Sequence, residues 1–263
     1  MKAVTLNSRV MHFRDDGPTD GPVLMFSNSL GTDLRIWDDL VALLPEFRCI
    51  RYDKRGHGLS ECPAPPYYMG DLVADAGALL DHLGLREVVF VGLSIGGLIG
   101  QGLAAERPDL VKALVLADTA AKIGSPDLWH TRVEAIKESG LEGMGDDVME
   151  RWFSRGFLSA RKEALAVSRA MLTRTPEDGY IGCAMAIAET DLLESTSRLT
   201  LPAMAIVGRD DKATPPDLVR ETADLIEGAE FHIISKAGHL PCVEQPQAVA
   251  ELLRNFLTTK KLA

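Results

Sequence analysis

The chain has few cysteines, no surplus of positive charge and no unbroken apolar stretch. Four cysteines (Cys49, Cys62, Cys183 and Cys242) are scattered through 263 residues. They show no C-x-x-C spacing and have no histidine beside them in a ligand pattern, so neither a disulfide framework nor a structural zinc site is expected. Lys and Arg number 28 against 38 Asp and Glu, a formal charge of −10. Without a basic footprint, nucleic acid is not an expected partner. No apolar h-region follows a basic n-region behind Met1-Lys2-Ala3-Val4-Thr5, so no secretory leader is read and a soluble, cytoplasmic protein is expected. From Val88 to Ala105 there is no formal charge, which is near the length that spans a bilayer. Five glycines and Ser94 interrupt that stretch. It therefore reads as a buried strand, a sharp turn and a buried helix, and no membrane partner is expected.

What is present suits a globular chain. A hydrophobic fraction of 46% with 25% charged residues excludes disordered and fibrous classes. Short β-rich runs alternate with helical patterns. Strands are expected at Ala3–Leu6 and Arg9–Arg14, joined by a tight hairpin at Asn7-Ser8, then at Pro22–Ser27, Phe47–Tyr52, Val88–Leu93 and Val111–Ala117. Helices are expected at Ile36–Leu44, Asp71–Leu83 and Ile95–Arg107, closed by Pro45, Gly84 and Pro108. From about Thr119 to Thr190 no strand is convincing, and helical segments read at Trp129–Glu138, Asp146–Phe153 and Arg161–Leu172. The alternation resumes with strands at Ala203–Val207 and Glu230–Ile234 and helices near Pro216–Ile226 and Pro246–Leu257. This order implies an α/β fold with a mostly parallel eight-stranded sheet, helices on both faces and an inserted helical cap. The expected division is core at 1–118, cap at 119–190 and core again at 191–263. The cap should sit over the C-terminal edge of the sheet, where such folds bind ligands.

Gly92-Leu93-Ser94-Ile95-Gly96 lies where the buried strand gives way to the glycine-rich helix, the G-x-S-x-G pattern of a nucleophile elbow. The glycines let strand and helix approach closely while the turn lifts Ser94 Oγ above the sheet. A serine nucleophile needs a base, and the base an orienting acid. Of six histidines, His239 sits in the loop after the last strand, in the chain order Ser, acid, His. Asp210 and Asp211 compete for the acid. Asp211, four residues before Pro215, has the spacing of a triad acid, and Asp210 reads as a turn residue. Asp118, at the end of a strand, is a third candidate that reads better as a loop-starting cap. An oxyanion needs two backbone donors: Ile95 N–H after the nucleophile, and Leu30 N–H from Ser27-Asn28-Ser29-Leu30-Gly31. No metal or organic cofactor is required by this chemistry.

Together these motifs resemble the α/β-hydrolase superfamily over nearly the whole chain. The turn Tyr52-Asp53-Lys54-Arg55-Gly56-His57-Gly58-Leu59-Ser60 is similar to a segment common in it. Most of the superfamily has His-Gly at the start of the oxyanion loop, whereas Asn28-Ser29 resembles the 3-oxoadipate enol-lactonases. Asp211-Lys212-Ala213-Thr214-Pro215-Pro216, Trp129-His130-Thr131-Arg132 and Arg151-Trp152-Phe153 also look like that family. The resemblance implies a small anionic lactone as substrate. A local cation must then fix its carboxylate, because a protein at −10 will not attract it by net charge. Arg132, three residues after Trp129 and so on the same helix face, is the candidate, with the indole covering the lactone ring. Periodicity alone leaves a surface arginine and a packed tryptophan open. Met144, Met149 and Trp152 read as cap packing. Another esterase, lactonase or C–C bond hydrolase, or a ligand receptor on the same scaffold, is the rival expectation. Oligomeric state is not legible.

Overall fold

Asn7 and Ser8 both take positive φ, 50° and 63°, the geometry of a tight hairpin whose twist matches its strands. They join β1 (Lys2–Leu6) to β2 (Arg9–Asp16), antiparallel with Leu6 opposite Arg9. In this computed structural model, described for residues 2–262, the chain continues through β3 (Val23–Ser27), α1 (Asp38–Ala42) and β4 (Arg48–Tyr52). Then follow α2 (Met69–His82), β5 (Val88–Leu93), α3 (Ile95–Glu106) and β6 (Val111–Ala117). Five helices come next without a strand: α4 (Pro126–Gly143), α5 (Gly145–Trp152), α6 (Arg155–Ala160), α7 (Lys162–Thr173) and α8 (Glu177–Ala188). The chain ends with α9 (Leu193–Thr196), β7 (Ala203–Gly208), α10 (Pro216–Asp224), β8 (Glu230–Ile234), α11 (Pro241–Glu244) and α12 (Pro246–Thr259).

The eight strands form one sheet in the order β1-β2-β4-β3-β5-β6-β7-β8. The first two pairings are antiparallel and the other five parallel. Every residue of β5 and β7 is buried, as expected of parallel strands covered by helices on both faces. The strand order reverses between β3 and β5, so the loops leaving these neighbours diverge and open a crevice at the C-terminal edge. The loop 27–31 and the Ser94 turn stand on its two sides.

Two expectations need correction. The helix expected at Ile36–Leu44 is a 3-10 turn at Leu34–Trp37 followed by the short α1. Asp33 starts that turn early by accepting from Arg35 N–H. Between β6 and β7 the helical reading holds, but the sequence pattern had suggested neither α6 nor α8. None of the described helices is long and apolar enough to cross a membrane.

Candidate active site

Ser94 occupies the junction of β5 and α3 with φ 57° and ψ −120°, a conformation that costs a non-glycine residue ~1–3 kcal/mol. The surroundings hold it there. Its N–H donates to Ala117 O at 3.0 Å, and its carbonyl accepts from Gly97 N–H at 2.8 Å and Thr119 Oγ1 at 2.6 Å. A side chain at Gly96 would collide with the Ser27 carbonyl, and one at Gly92 with the backbone of Gly96. The elbow therefore packs directly against the start of the 27–31 loop.

That loop is tied down at almost every polar group. Lys54 Nζ donates to Asn28 O at 3.2 Å and Ser29 O at 2.6 Å. Thr32 donates to Ser29 O through both N–H and Oγ1, and Asn28 Nδ2 donates to Thr32 O. Gly31 N–H donates to His57 Nε2 at 3.0 Å. Leu30 N–H, between these anchors, has no protein acceptor among the described residues, and neither has Ile95 N–H at the start of α3. Those are the two amides expected to face an oxyanion.

His239 and Asp211 are brought together from the loops after β8 and β7. Asp211 Oδ2 lies 2.9 Å from His239 Nδ1, both nearly inaccessible, while Asp210 is exposed. Asp211 also accepts from Thr214 Oγ1 at 2.7 Å, Ala213 N–H at 2.7 Å and Thr214 N–H at 3.2 Å. Burial opposes its ionisation, but the His239 charge and these donors outweigh burial and hold its carboxyl below the ordinary range. With Nδ1 donating to Asp211, Nε2 is left as the basic nitrogen. It faces Ser29 Oγ at 3.3 Å, and Ser94 Oγ has no protein hydrogen bond among the described residues. His239 N–H donates to Trp152 O at 2.7 Å, so the α5 end of the helical block rests on the histidine turn.

Thr214, Ser29, Lys54 and His57 lie within motifs quoted for the resemblance, but the sequence had given none of them a role of its own. Lys54 is fully enclosed, and burial lowers its ammonium pKa to about 8 despite nearby Asp53 and Asp33. His57 is pushed well below the usual imidazole range, first by burial and then by Lys54, so it stays neutral. Asp118, Asp211 and His239 bring ligand atoms within 4.8 Å of one another. Because His239 Nδ1 is already engaged by Asp211, this cluster is a poor cation site.

In the helical block, Trp129 is packed into the core and its Nε1 donates to Ile123 O at 2.7 Å. The Arg132 guanidinium lies 5.4 Å from the centre of that indole, as the i, i+3 spacing implies. Neither Arg132 nor the nearby Arg151 pairs with a carboxylate among the described residues. Arg151 is held below its usual range by burial and then by the Arg132 charge. The cleft formed by His12, Asp33, Arg35, Asp53, Met171 and Arg174, about 280 Å³, does not include Ser94.

A parallel sheet with a strained serine between β5 and α3, an Asp–His pair after β7 and β8, and helices inserted after β6 define a hydrolase scaffold. The chain belongs to the alpha/beta hydrolase fold family, whose profile it matches over residues 22–246. It is 35% identical to 3-oxoadipate enol-lactonase 2 of Acinetobacter baylyi, over 93% of this chain and 92% of that protein. The crystal structure of an enol-lactonase from Burkholderia xenovorans LB400 superposes with a TM-score of 0.94 at 36% identity, covering 98% of this chain and 100% of that one. A malate-bound thermophilic esterase from Thermogutta terrifontis superposes at 0.90 with 28% identity, covering 98% of each chain.

Proposed function

We propose that the protein is a cofactor-free serine hydrolase that opens the enol-lactone of 3-oxoadipate to 3-oxoadipate, a step of aromatic-acid catabolism. The observation that carries the hydrolase reading is the enclosed His239–Asp211 pair, whose Nε2 faces Ser29 in the loop against which the Ser94 elbow packs. The lactone reading rests on the likeness to two enol-lactonases and on Arg132, a guanidinium without a carboxylate partner among the described residues.

In this reading His239 Nε2 takes the Ser94 proton as Oγ attacks the lactone carbonyl. Leu30 and Ile95 amides stabilise the tetrahedral oxyanion, each worth roughly 3 kcal/mol. Collapse breaks the ring C–O bond and expels an enolate; the proton that His239 took from Ser94 passes to it, giving the ketone and returning His239 to its neutral form. His239 then activates a water that releases the acyl group from Ser94. Arg132 holds the acetate arm through two parallel hydrogen bonds. Trp129 supports Arg132 from beneath, and its indole covers the lactone ring. Residues 119–190 act as the cap domain over residues 1–118 and 191–263.

The test follows the ultraviolet decay of freshly generated 3-oxoadipate enol-lactone with purified protein, Ser94→Ala, Arg132→Ala and a neutral ester control. The expected result is rapid decay abolished in Ser94→Ala, KM raised about tenfold or more in Arg132→Ala, and poor ester hydrolysis. Brisk ester hydrolysis without lactone decay would keep the serine hydrolase and discard the lactone. Equal activity of Ser94→Ala and wild type would remove the nucleophile.

A further inference from the structure

Asp118 is a buried carboxyl that the reaction above leaves unused. It ends β6 with φ 44° and is fully enclosed. Its two oxygens differ in their surroundings. Oδ1 accepts from Gly208 N–H at 2.8 Å, tying β6 to the end of β7, whereas Oδ2 is buried without a protein donor. Yet Asp211 and His239 lie beside it, with ligand atoms of all three residues within 4.8 Å. The other titratable groups near it, Cys242 and Glu244, come from α11, and neither can carry positive charge.

Two carboxylates enclosed together cannot both ionise at neutral pH. The hydrogen bonds decide which one keeps the proton. Asp211 accepts from His239, Thr214 Oγ1, Thr214 N–H and Ala213 N–H, and Asp118 from Gly208 N–H alone. We propose that Asp118 remains a neutral carboxylic acid throughout turnover and donates its proton in a hydrogen bond to Asp211, acting as a positioning residue behind the Asp211–His239 pair. The proton sits on Oδ2 and does not leave it. Burial and then the Asp211 charge push the Asp118 carboxyl well above the ordinary range, in the same direction. A neutral donor steadies Asp211 and orients its carboxylate without adding a second negative charge beside His239. The strained φ of Asp118 is the backbone cost of aiming that acid inward.

This inference rests on the triad reading of Asp211 and His239, and its test separates the two. In protein labelled with carbon-13 at the aspartate carboxyl, one resonance absent from Asp118→Asn must stay at the protonated-acid position throughout the pH range of the activity profile. Asp118→Asn keeps a neutral donor, so turnover is expected within about threefold of wild type with the acid limb of the kcat/KM profile in place. Asp118→Ala loses the donor, lowering kcat about tenfold with little change in KM and moving that limb upward, the size of one hydrogen bond to a charged group. If Asp118→Ala does not fold, the labelled wild type and Asp118→Asn still decide. An Asp118 resonance at the carboxylate position at pH 7, or an Asn variant as impaired as the Ala variant, would overturn the proposal. If Asp211→Asn retained full activity while Asp118 stayed protonated, the triad reading would fail instead.

Discussion

His57 shows how a buried side chain can serve a site without touching its chemistry. Its Nε2 accepts from Gly31 N–H, so the ring proton must be on Nδ1, which donates to Arg55 O at 3.2 Å. The ring thus joins the 52–60 turn to the 27–31 loop. In His57→Phe the volume is kept but Gly31 N–H is orphaned, costing ~1–3 kcal/mol of stability. kcat should fall about tenfold or more as Leu30 N–H loses its position. Because burial and Lys54 keep His57 neutral, the acid limb of the pH profile must not move; steady-state kinetics between pH 5 and 9 check this, and a shifted limb would mean that His57 ionises in that range. Ser94, Asp211 and His239 could be singled out in the sequence because each sits at a fixed offset from a strand end within a local motif, and the fold brings Asp211 and His239 together. His57, Lys54 and Asp118 were not, since what they do depends on partners that only the sheet brings near. Asp118 was read as a cap of its own loop; its Oδ1 instead caps the end of β7, 90 residues away.

At the level of elements, the strands were readable to within a few residues because parallel strands buried on both faces leave short, dense apolar runs. The helical block was readable only where helices are amphipathic. α8 is Glu177-Asp178-Gly179-Tyr180-Ile181-Gly182-Cys183-Ala184-Met185-Ala186-Ile187-Ala188, buried along most of its length, so it has no polar stripe to set a period. Its Gly179 lies against the Gly56 backbone, where a side chain would not fit, and so α8 carries small residues that lower its helical signal. The block is also fastened through α11. Glu244 accepts from Gly238 N–H at 2.6 Å, Ser154 Oγ at 2.6 Å and Ser154 N–H at 3.2 Å, holding the histidine turn and the α5–α6 junction together. Glu244→Ala should cost ~2–4 kcal/mol, because several donors lose one partly buried charged acceptor. kcat should fall more than KM rises, because the loosened turn carries His239 while Arg132 stands on α4. Denaturant unfolding and steady-state kinetics on the same preparation check both effects; a KM change alone would place Glu244 in substrate binding.

For the whole molecule, the few cysteines and the enclosed Lys54 set the response to alkali. Burial pushes the Cys49 and Cys183 thiols up to about 12, and raises Cys242 and the Tyr52 phenol as well. A group whose folded pKa is raised contributes stability that is complete below its unfolded pKa and is lost as pH climbs through the folded value. The thiols therefore withdraw stability from pH ~9 upward. Lys54 acts in the opposite sense: its pKa falls from 10.5 to about 8 in the fold, so between those values the unfolded chain holds the extra proton and stability rises with pH. Between pH ~9 and ~10.5 three thiols oppose one lysine, and a net two protons leave a loss of ~3 kcal/mol per pH unit. Urea midpoints in reducing buffer should thus be level or slightly rising from pH 8 to 9 and drop steeply beyond it. Replacing Cys49, Cys183 and Cys242 with alanine should remove most of the drop while lowering the plateau through lost packing. The same burial should leave only Cys62, which is partly exposed, open to a thiol reagent at pH 8 in the native protein, against four thiols after denaturation. A midpoint that stays level to pH 10.5, or rapid reaction of all four native thiols, would mean that the enclosed core opens far more readily than its packing implies.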